Sequence, residues 1–399
     1  MQATKEQGVP EEWYLDAEAW RRHLVDEVLQ HWLARAVDRQ HGGYVCEFDR
    51  RWGLVGAGLK TLVSQSRLVY NFCVGFRRTG RAEFRDAAEH GVTFLREHFA
   101  DRVHGGWIWQ CRRDGSVDDD AKVTYGHAFV IFALAEYAHT FDRSDAADTA
   151  RRTVEDLQQH MRDGAVWGFW TRATRDWRPE TQRRSQNPHM HLLEALLSLY
   201  RATEDERVLG LAEGICRFAR DRFVHPEHGC LEELFASDWS RLADNQAAPV
   251  EAGHQFEWAW LLNRAADLGA DPSFRGLAEK LLGWGVRYGW DNQRGGVFNQ
   301  CDRHGRPLQT DKTYWVQSEA LRAMFYVARG GGQLDARVLQ TTADFVWQYC
   351  ADHEHGGWFA TVDRRGSPVN ADKGGLWKLD YHVVSLCDEA IRLLEDEPG

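Results

Sequence analysis

The sequence has little that would bind nucleic acid or cross a membrane. It holds 49 Lys and Arg against 60 Asp and Glu, a formal net charge of −11, and no basic stripe that could displace counterions from phosphates. No stretch approaches the roughly 18 consecutive apolar residues of a membrane span, and the N-terminal segment is charged and lacks an apolar run. These absences exclude a nucleic-acid partner and a membrane span, and they predict a cytoplasmic protein.

Paired cysteines and interdomain linkers are missing as well. The eight cysteines are scattered and form no Cys-x-x-Cys pair, and a chain of 399 residues is long enough to fold without disulfide bonds. We therefore expect reduced thiols. Since no segment has the composition of a linker and one repeat runs through the chain, a single domain over residues 1–399 is predicted.

A segment of the form His-Gly-Gly-aromatic, or a variant of it, recurs six times. Each copy is a predicted short hairpin, because glycines permit positive φ and a turn such as Asp114-Gly115 follows. Regular spacing of this kind marks one repeated supersecondary unit. The equivalent glycines are separated by 63, 63, 61, 66 and 61 residues: Gly42, Gly105, Gly168, Gly229, Gly295 and Gly356.

Two helical patterns lie between one hairpin and the next. The segment from Val123 is apolar on most sides, as in a buried helix, and the segment from Ala82 is amphipathic, as in a covering helix. An open array usually carries polar caps at both ends, and neither the first nor the last unit looks atypical. The pattern predicts an all-α fold, an (α/α)6 barrel with short β-hairpins at one end.

Many of the 18 tryptophans fall in or close after the hairpins. The C–H faces of a sugar ring stack on indole while its hydroxyls reach polar groups, so aromatic walls suit a sugar site. Packing of the hairpins onto the barrel is the alternative. The set comprises Trp107, Trp109, Trp167, Trp170, Trp239, Trp315, Trp358 and Trp377.

Polar residues also stand near the start of each predicted buried helix. Four of them are histidines, spaced by 64, 63 and 128 residues: His127, His191, His254 and His382. At the equivalent position of the repeat, the fifth unit has Gln317, and the first unit has Ser66 and Arg67. A lone buried His is usually a satisfied core residue, but four in register around a closed ring predict one common pocket.

Two of these histidines have a carboxylate three residues later, His191 with Glu194 and His254 with Glu257. This spacing puts both side chains on one helix face. A carboxylate beside an imidazole raises its pKa and fixes its tautomer, which suits proton transfer near neutral pH. A solvated ion pair of little energetic value is the structural alternative.

At these residues the chain resembles the N-acylglucosamine 2-epimerase superfamily, which includes cellobiose and mannose 2-epimerases and mannose isomerases. The resemblance spans nearly the whole chain. It rests on MHLLEA around His191, GHQFEWAWLL around His254, KTYWVQSEAL around Trp315, WKLDYH ending at His382, and SRLVY, which contains Arg67. It implies an (α/α)6 barrel and no obligatory metal or organic cofactor.

The resemblance also implies roles for individual residues. His254 and His382 match a pair of histidines on opposite sides of the sugar, and Arg67 matches an arginine near the reacting carbonyl. The segment YGHAFV from Tyr125 looks more like the monosaccharide isomerases than the disaccharide epimerases. The predicted substrate contacts are Tyr125, His127, Glu194, Trp315, Glu319 and Trp377.

The chemistry of an aldose explains these residue types. Once the ring opens, the C2 hydrogen lies α to a carbonyl, and its removal needs a base, a proton donor and an electrophile at the oxygen. We expect His254 and His382 to supply base and acid, Arg67 to polarise the carbonyl, and His191 and Glu257 to assist ring opening or orient the pair. Isomerisation of D-mannose to D-fructose is the favoured reaction, and 2-epimerisation is the alternative.

Three other functions stay open on the sequence. A glycoside hydrolase needs two carboxyl groups about 5–10 Å apart. The equivalent positions of the repeat hold mainly histidines, which does not favour this function. A metalloenzyme would use His189 and His191 with His254, although residues i and i+2 diverge on a helix. A non-catalytic sugar-binding protein would keep the barrel without turnover. The expected partner is a small sugar, and the chain is expected to be a monomer or a homodimer.

Overall fold

The computed structural model describes residues 12–164, 166–180, 183–243 and 246–397. Two concentric sets of helices alternate along the chain. The inner helices are α2 (Leu62–Thr79), α4 (Thr124–Phe141), α6 (Asn187–Thr203), α8 (Ala252–Asp267), α10 (Tyr314–Arg329) and α12 (Tyr381–Leu394). The outer helices are α1 (17–35), α3 (82–99), α5 (Ser144–His160), α7 (206–223), α9 (274–289) and α11 (336–350).

Five of the outer helices contain a π-helical turn, and a short 3₁₀ turn, Trp13–Leu15, precedes α1. In all but α1 the wide turn ends the helix just before the hairpin. The turns are His23–Leu29, Leu95–Phe99, Ala219–Phe223, Gly285–Gly289 and Val346–Cys350.

The helices divide into inner and outer sets as their hydrophobic patterns predict. In α4, almost every residue from Thr124 to Ala138 is buried, whereas α5 buries one face only. The last inner helix, α12, packs against α10, α1 and the first inner helix, α2. Contact between α12 and α2 closes the ring, and the predicted (α/α)6 barrel is confirmed. No helix of the described residues is long and apolar enough to cross a membrane.

Short antiparallel strands join neighbouring units at one end of the barrel. The strand before an inner helix pairs with the hairpin of the next unit, as Lys60–Thr61 pairs with Gln110–Cys111. Three-stranded sheets are β1-β2-β3, β10-β9-β8 and β11-β12-β13, and two-stranded sheets are β4-β5 and β6-β7. The strands are β1 (Lys60–Thr61), β2 (Gln110–Cys111), β3 (Val117–Asp119), β4 (Lys122–Val123), β5 (Arg172–Ala173), β6 (Arg184–Ser185), β7 (Leu234–Phe235), β8 (Val250–Glu251), β9 (Gln300–Cys301), β10 (Pro307–Gln309), β11 (Lys312–Thr313), β12 (Thr361–Val362) and β13 (Pro368–Asn370).

Ion pairs to a buried aspartate recur in five of the six units. Asp38 accepts from Lys60 of its own unit at 3.2 Å and from Arg113 of the next hairpin at 2.9 Å. Asp352 of the sixth unit repeats the pattern with Lys373 at 2.8 Å and with Arg50 of the first hairpin at 2.9 Å, which joins the last unit to the first. Equivalent pairs are Asp101 with Lys122 and Arg175, Asp163 with Arg184, and Asp291 with Lys312 and Arg364.

A second repeated contact clamps five of the six hairpins to the inner helix that follows, among the described residues. The Gln65 amide oxygen accepts from the backbone N–H of Tyr44 at 2.8 Å, and its amide N–H donates to the carbonyl of the same residue. In the second unit His127 occupies this position: its Nε2 accepts from the Trp107 N–H at 3.1 Å, and its Nδ1 lies 2.8 Å from the Val123 carbonyl. The clamp residues are Gln65, His127, His189, Gln255 and Gln317.

The clamp corrects two predictions made from the repeat. His127 was placed in phase with His191, whereas its structural equivalent is His189, two residues earlier, and Gln317 is a clamp residue as well. His127 is fully buried with both ring nitrogens at backbone groups, so the prediction that it contacts substrate is wrong. His189 is bonded in the same way, which removes the His189–His191 metal pair.

Candidate active site

A cavity of about 650 Å³ opens at the hairpin end of the barrel, where the inner helices begin. It brings together residues that are far apart in sequence. Eight of the predicted site residues line it: Arg67, Tyr125, His191, His254, Glu257, Trp315, Trp377 and His382. Glu194 and Glu319 lie behind this lining, against His191 and His382.

His254 contacts a carboxylate other than the one its sequence spacing predicts. Its Nδ1 lies 2.9 Å from Oε2 of Glu233, a residue of the preceding hairpin next to β7. Gln186 donates to the same carboxylate at 2.8 Å, and the Trp258 indole donates to Gln186 at 2.7 Å. The expected His254–Glu257 pair is therefore wrong, and Glu233 is the group that orients the imidazole.

The surroundings of His254 favour its protonated form. Burial opposes protonation, but the negative charges of Glu233, Glu251 and Glu319 outweigh it, and the pKa of His254 is raised above 6.5. With Nδ1 held at Glu233, the other ring nitrogen, Nε2, is the one left for a ligand. His254 is thus prepared as a proton donor near neutral pH.

His382 has the opposite electrostatic setting. Its Nδ1 lies 2.6 Å from Oε1 of Glu319, yet burial and then the charge of Arg67 hold the pKa of His382 well below 6.5. Burial, opposed by Arg322, raises the pKa of Glu319 to about 7. A neutral imidazole beside an ionised Glu319 keeps its proton on Nδ1 and leaves a lone pair on Nε2, which is the state of a general base.

The third cavity histidine, His191, forms the predicted pair with Glu194. The two lie 3.2 Å apart, and Tyr381 donates to the same carboxylate at 2.6 Å. Burial lowers the pKa of His191, although Glu194 opposes it, so this imidazole is neutral near pH 7. Its position beside the cavity suits hydrogen bonding to a sugar hydroxyl.

Glu257 is buried in the cavity wall, and neither of its carboxyl oxygens has a hydrogen-bond partner among the described residues. Nδ1 of the neutral His191 lies 3.9 Å from Oε1 of Glu257. Burial and the neighbouring charges of Glu319 and Glu194 raise the pKa of Glu257 well above its ordinary value. A protonated carboxyl here can donate to an oxygen that enters the cavity.

Arg67 is a buried cation without a counter-charge. It donates to the Trp377 carbonyl at 2.7 Å and to the Tyr125 hydroxyl at 2.9 Å, and its Nε is buried with no acceptor. The guanidinium lies between the rings of Phe129 and Tyr381, 4.4 and 4.8 Å from their centroids. No carboxylate of the described residues is within 4 Å of it, so an anionic oxygen in the cavity would be its first ionic partner.

Two tryptophans form the aromatic part of the cavity. The Trp315 ring lies against the imidazoles of His254 and His382, with centroid distances of 5.0 Å and 5.8 Å. Gly253 allows this approach, because a Cβ there would stand 2.5 Å from the indole. Trp377 lies at the mouth and is 54% exposed. Of the other tryptophans in the predicted set, Trp107, Trp239 and Trp358 are core residues, and Trp109, Trp167 and Trp170 are half-buried against the core.

A family profile described as N-acylglucosamine 2-epimerase (GlcNAc 2-epimerase) matches residues 42–386. The chain belongs to the N-acylglucosamine 2-epimerase family. It is similar to the D-mannose isomerase of Marinomonas mediterranea, with 27% identity over 395 residues, 95% of this chain and 98% of that protein. It is also similar to the cellobiose 2-epimerase of Bacteroides fragilis, with 26% identity over 388 residues, 93% of this chain and 97% of that protein.

Solved structures agree on the fold. A crystal structure of a D-mannose isomerase matches with a TM-score of 0.89 and 24% identity, over 96% of this chain and 100% of that chain. At this identity the likeness shows the barrel alone. Family membership and the named relatives make this chain an enzyme of the sugar epimerase or isomerase class.

Two groups of buried side chains in this family member have the spacing of metal ligands. One is His191, Glu194 and Glu257, and the other is Glu257, Glu319 and His382, each with candidate ligand atoms within 4.8 Å of one another. His and carboxylate ligands in such sets suit Zn²⁺ or Mn²⁺. Each histidine also has its own carboxylate partner, which accounts for its orientation without an ion.

Sequence reasoning missed Glu233 and Gln186, which hold the imidazole of His254. Both stand at strand edges outside the helix where the family motif lies, Glu233 before β7 and Gln186 after β6. Since β6 pairs with β7, the two residues are brought side by side by the sheet. A search for polar residues at the ends of the paired strands, as well as on the helices, would have found them.

Proposed function

We propose that this enzyme interconverts aldoses and ketoses by moving a proton from C2 through an enediolate, with D-mannose and D-fructose as the pair it acts on. The observation that carries the proposal is the position of His254 and His382. Both line one cavity and lie against Trp315, and their pKa values are shifted in opposite directions.

The opposite shifts assign the proton roles. His382, neutral and oriented by Glu319, is the base that takes the proton from C2. His254, protonated and oriented by Glu233, is the acid that delivers a proton. Environments that separate the pKa values of two groups are the usual mark of an acid and a base that work together.

Arg67 stabilises the negative charge that develops on the carbonyl oxygen. An enediolate needs a cation or hydrogen-bond donors at its oxygen, and such groups act most strongly in a buried site. Arg67 meets this need because its Nε has no acceptor and no carboxylate neutralises it among the described residues. The first turns of the inner helices add backbone dipoles of the same sign at this end of the barrel.

Glu257 and His191 prepare the sugar by opening its ring. Opening requires a donor to the ring oxygen and an acceptor for the anomeric hydroxyl proton. The protonated Glu257 carboxyl and the neutral His191 imidazole have these two properties and lie 3.9 Å apart in the cavity wall.

The cavity charges favour an uncharged sugar. Three carboxyl groups line the cavity with three cations, Arg67, Lys378 and the protonated His254. Lys378 is paired with Asp380 at 2.7 Å and His254 with Glu233 at 2.9 Å, which leaves Arg67 as the cation for the reacting oxygen. A phosphate or sulfonate on the substrate would find no further unpaired cation on the described cavity wall.

Epimerisation at C2 is the alternative reaction and uses the same intermediate. A proton returned to C1 gives the ketose, and one returned to the opposite face of C2 gives the epimer. Relatives of both kinds resemble this chain over nearly its full length, a cellobiose 2-epimerase and a D-mannose isomerase.

The experiment is to incubate the protein with D-mannose, D-glucose and D-fructose, with and without EDTA, and to identify the products by NMR. We expect mannose and fructose to interconvert, and we expect EDTA to leave the rate unchanged because His254 and His382 carry the proton. Exchange of glucose with mannose and no fructose would show a 2-epimerase. Loss of all conversion in EDTA would assign the buried His and Glu groups to a metal.

A further inference from the structure

A second cavity, of about 80 Å³, lies at the other end of the barrel, where the inner helices finish. It is separate from the larger cavity that contains His254 and His382, called the sugar cavity below. Charged side chains dominate its wall. Its arginines are Arg77, Arg201, Arg264, Arg322 and Arg392, and its carboxylates are Glu136, Glu194, Asp388 and Glu389.

Guanidinium and carboxylate groups of this wall form one network. The pKa of each of the four carboxyl groups is lowered against the effect of burial, by His191 and Arg322 at Glu194 and by arginines at the other three, so all four are ionised at neutral pH. Two further carboxylates just outside the wall, Asp267 and Glu319, pair with Arg264 and Arg322. A buried guanidinium with incomplete hydrogen bonding is costly unless an ion or water supplies the missing acceptor.

Most of the carboxylates are already occupied by partly exposed arginines. Glu136 is bound by Arg77 at 3.0 Å and by Arg201 at 2.6 Å, and Glu389 is bound by Arg392 at 2.8 Å. The side chains of these three arginines are 17–30% exposed, so they form a rim that solvent reaches.

The two most buried arginines are the ones with the poorest partners. Arg322 lies 3.7 Å from Glu194 and 3.5 Å from Glu319, and its Nε is buried with no acceptor. Arg264 has Asp267 at 3.3 Å as its ion pair. These two arginines are 6% and 7% exposed.

Both guanidinium groups also lie against the same indole. The ring centroid of Trp260 is 3.4 Å from the guanidinium carbon of Arg322 and 5.9 Å from that of Arg264. Two cations on one ring repel each other, and this repulsion is strong where water is scarce. An anion beside them would relieve the repulsion and supply the acceptor that Arg322 lacks.

We propose that this cavity binds a small monovalent inorganic anion such as chloride. The size of the cavity and the incomplete hydrogen bonding of Arg322 both select this class of ligand. A cavity of about 80 Å³ holds an ion of this size with a few waters, and such an ion supplies the acceptor that the Nε of Arg322 lacks among the described residues. A divalent phosphate would place two negative charges beside carboxylates that are already paired with the wall arginines.

The first test compares melting temperatures in potassium chloride and potassium glutamate at equal ionic strength. Chloride should raise the melting temperature of the wild type saturably, by about 1–3 °C, because an ion that binds the folded state stabilises it. Arg264→Gln should abolish the effect, and Arg201→Gln serves as a second variant if the first does not fold. Arg329→Gln is the matched control, since Arg329 ends an inner helix but does not line the cavity.

The second test locates the ion by bromide. Crystals of the wild type grown in bromide should show an anomalous scattering peak in the cavity beside Arg264 and Arg322, and crystals of Arg264→Gln should not. Water alone in the cavity, or an equal chloride effect in wild type and Arg264→Gln, would overturn the proposal. The arginines would then serve only to compensate the carbonyl ends of the inner helices.

Discussion

At the scale of single residues, the imidazoles of His254 and His382 differ through their surroundings. Glu233 raises the pKa of His254, whereas burial and the charge of Arg67 hold the pKa of His382 low beside Glu319, whose own pKa is about 7. The base form requires an ionised Glu319 and the acid form a protonated His254. We therefore expect kcat/KM to follow a bell-shaped pH profile that rises as Glu319 ionises and falls as His254 loses its proton.

Glu233→Gln tests the positioning role of this carboxylate. Loss of the negative charge lowers the pKa of His254, so the descending limb of the kcat/KM profile should move to lower pH by about one unit. The control is Glu227→Gln, an exposed residue of the same hairpin, which should leave the profile in place. An unshifted limb in Glu233→Gln would show that His254 does not carry the acid proton.

His127 provides a test of the clamp at the same scale. Gln65, Gln255 and Gln317 make the same contact in other units, so His127→Gln should retain fold and activity. His127→Leu leaves the Trp107 N–H buried without an acceptor and should reduce the free energy of unfolding by about 2 kcal/mol. If glutamine removed activity while stability stayed intact, His127 would have a role in catalysis.

The clamp histidine also gives a pH dependence with a definite sign. Burial lowers the pKa of His127 to about 3, against about 6.5 in the unfolded chain. Its contribution to stability is complete above about pH 6.5 and is lost as the pH falls toward 3. His127→Gln should remove this part of the acid sensitivity, as measured by melting temperature between pH 4 and 7.

At the scale of elements, the ion pair of Asp352 with Arg50 joins the last outer helix to the first hairpin. Asp352→Asn leaves Lys373 buried without its carboxylate and should reduce the free energy of unfolding by about 3–5 kcal/mol. Glu354→Gln removes an exposed partner of the same arginine and should cost less than about 1 kcal/mol. Chemical denaturation measures both free energies of unfolding. Equal losses for the two substitutions would contradict the claim that Asp352 joins the last unit to the first.

The acid dependence of this pair follows from its pKa. Arg50 and Lys373, working against burial, hold the pKa of Asp352 well below 3.8. Its stabilising contribution is present above about pH 4 and is lost as the pH falls below that value. The difference in stability between wild type and Asp352→Asn should therefore shrink in acid.

The helices could be predicted from the sequence because their pattern is local. Apolar periodicity separates inner from outer helices, and the regular glycine spacing counts the units. The position of individual polar residues within the repeat was harder to predict, because the hairpins that precede the inner helices differ in length. His127 and His191 are two positions apart in the structural repeat, although their spacing of 64 residues matches the glycine interval.

A search of the strand ends would make Glu233 and Gln186 candidates, but the contacts between units could not be assigned from the sequence. The Glu233–His254 pair depends on pairing of β6 with β7, and no local pattern specifies which carboxylate of a hairpin reaches the next helix. His191 with Glu194 was predictable, because both stand on one helix at i and i+3. The single-domain boundary of 1–399 stays a prediction.

At the scale of the whole molecule, the barrel brings together histidines that are over a hundred residues apart. Closure of the ring by α2 and α12 sets His382 opposite the units that carry His191 and His254. The sugar cavity lies at the helix N-termini, and the arginine-lined cavity at the C-termini, so the two ends have different charge environments.

The most direct test of the account is the exchange of deuterium from heavy water into C2 of D-mannose, followed by NMR. The wild type should introduce deuterium at C2, while His382→Asn should lose exchange by at least about 10²-fold, as expected for removal of a general base. His254→Asn should also lose turnover. Exchange at an undiminished rate in folded His382→Asn would contradict the claim that His382 removes the C2 proton.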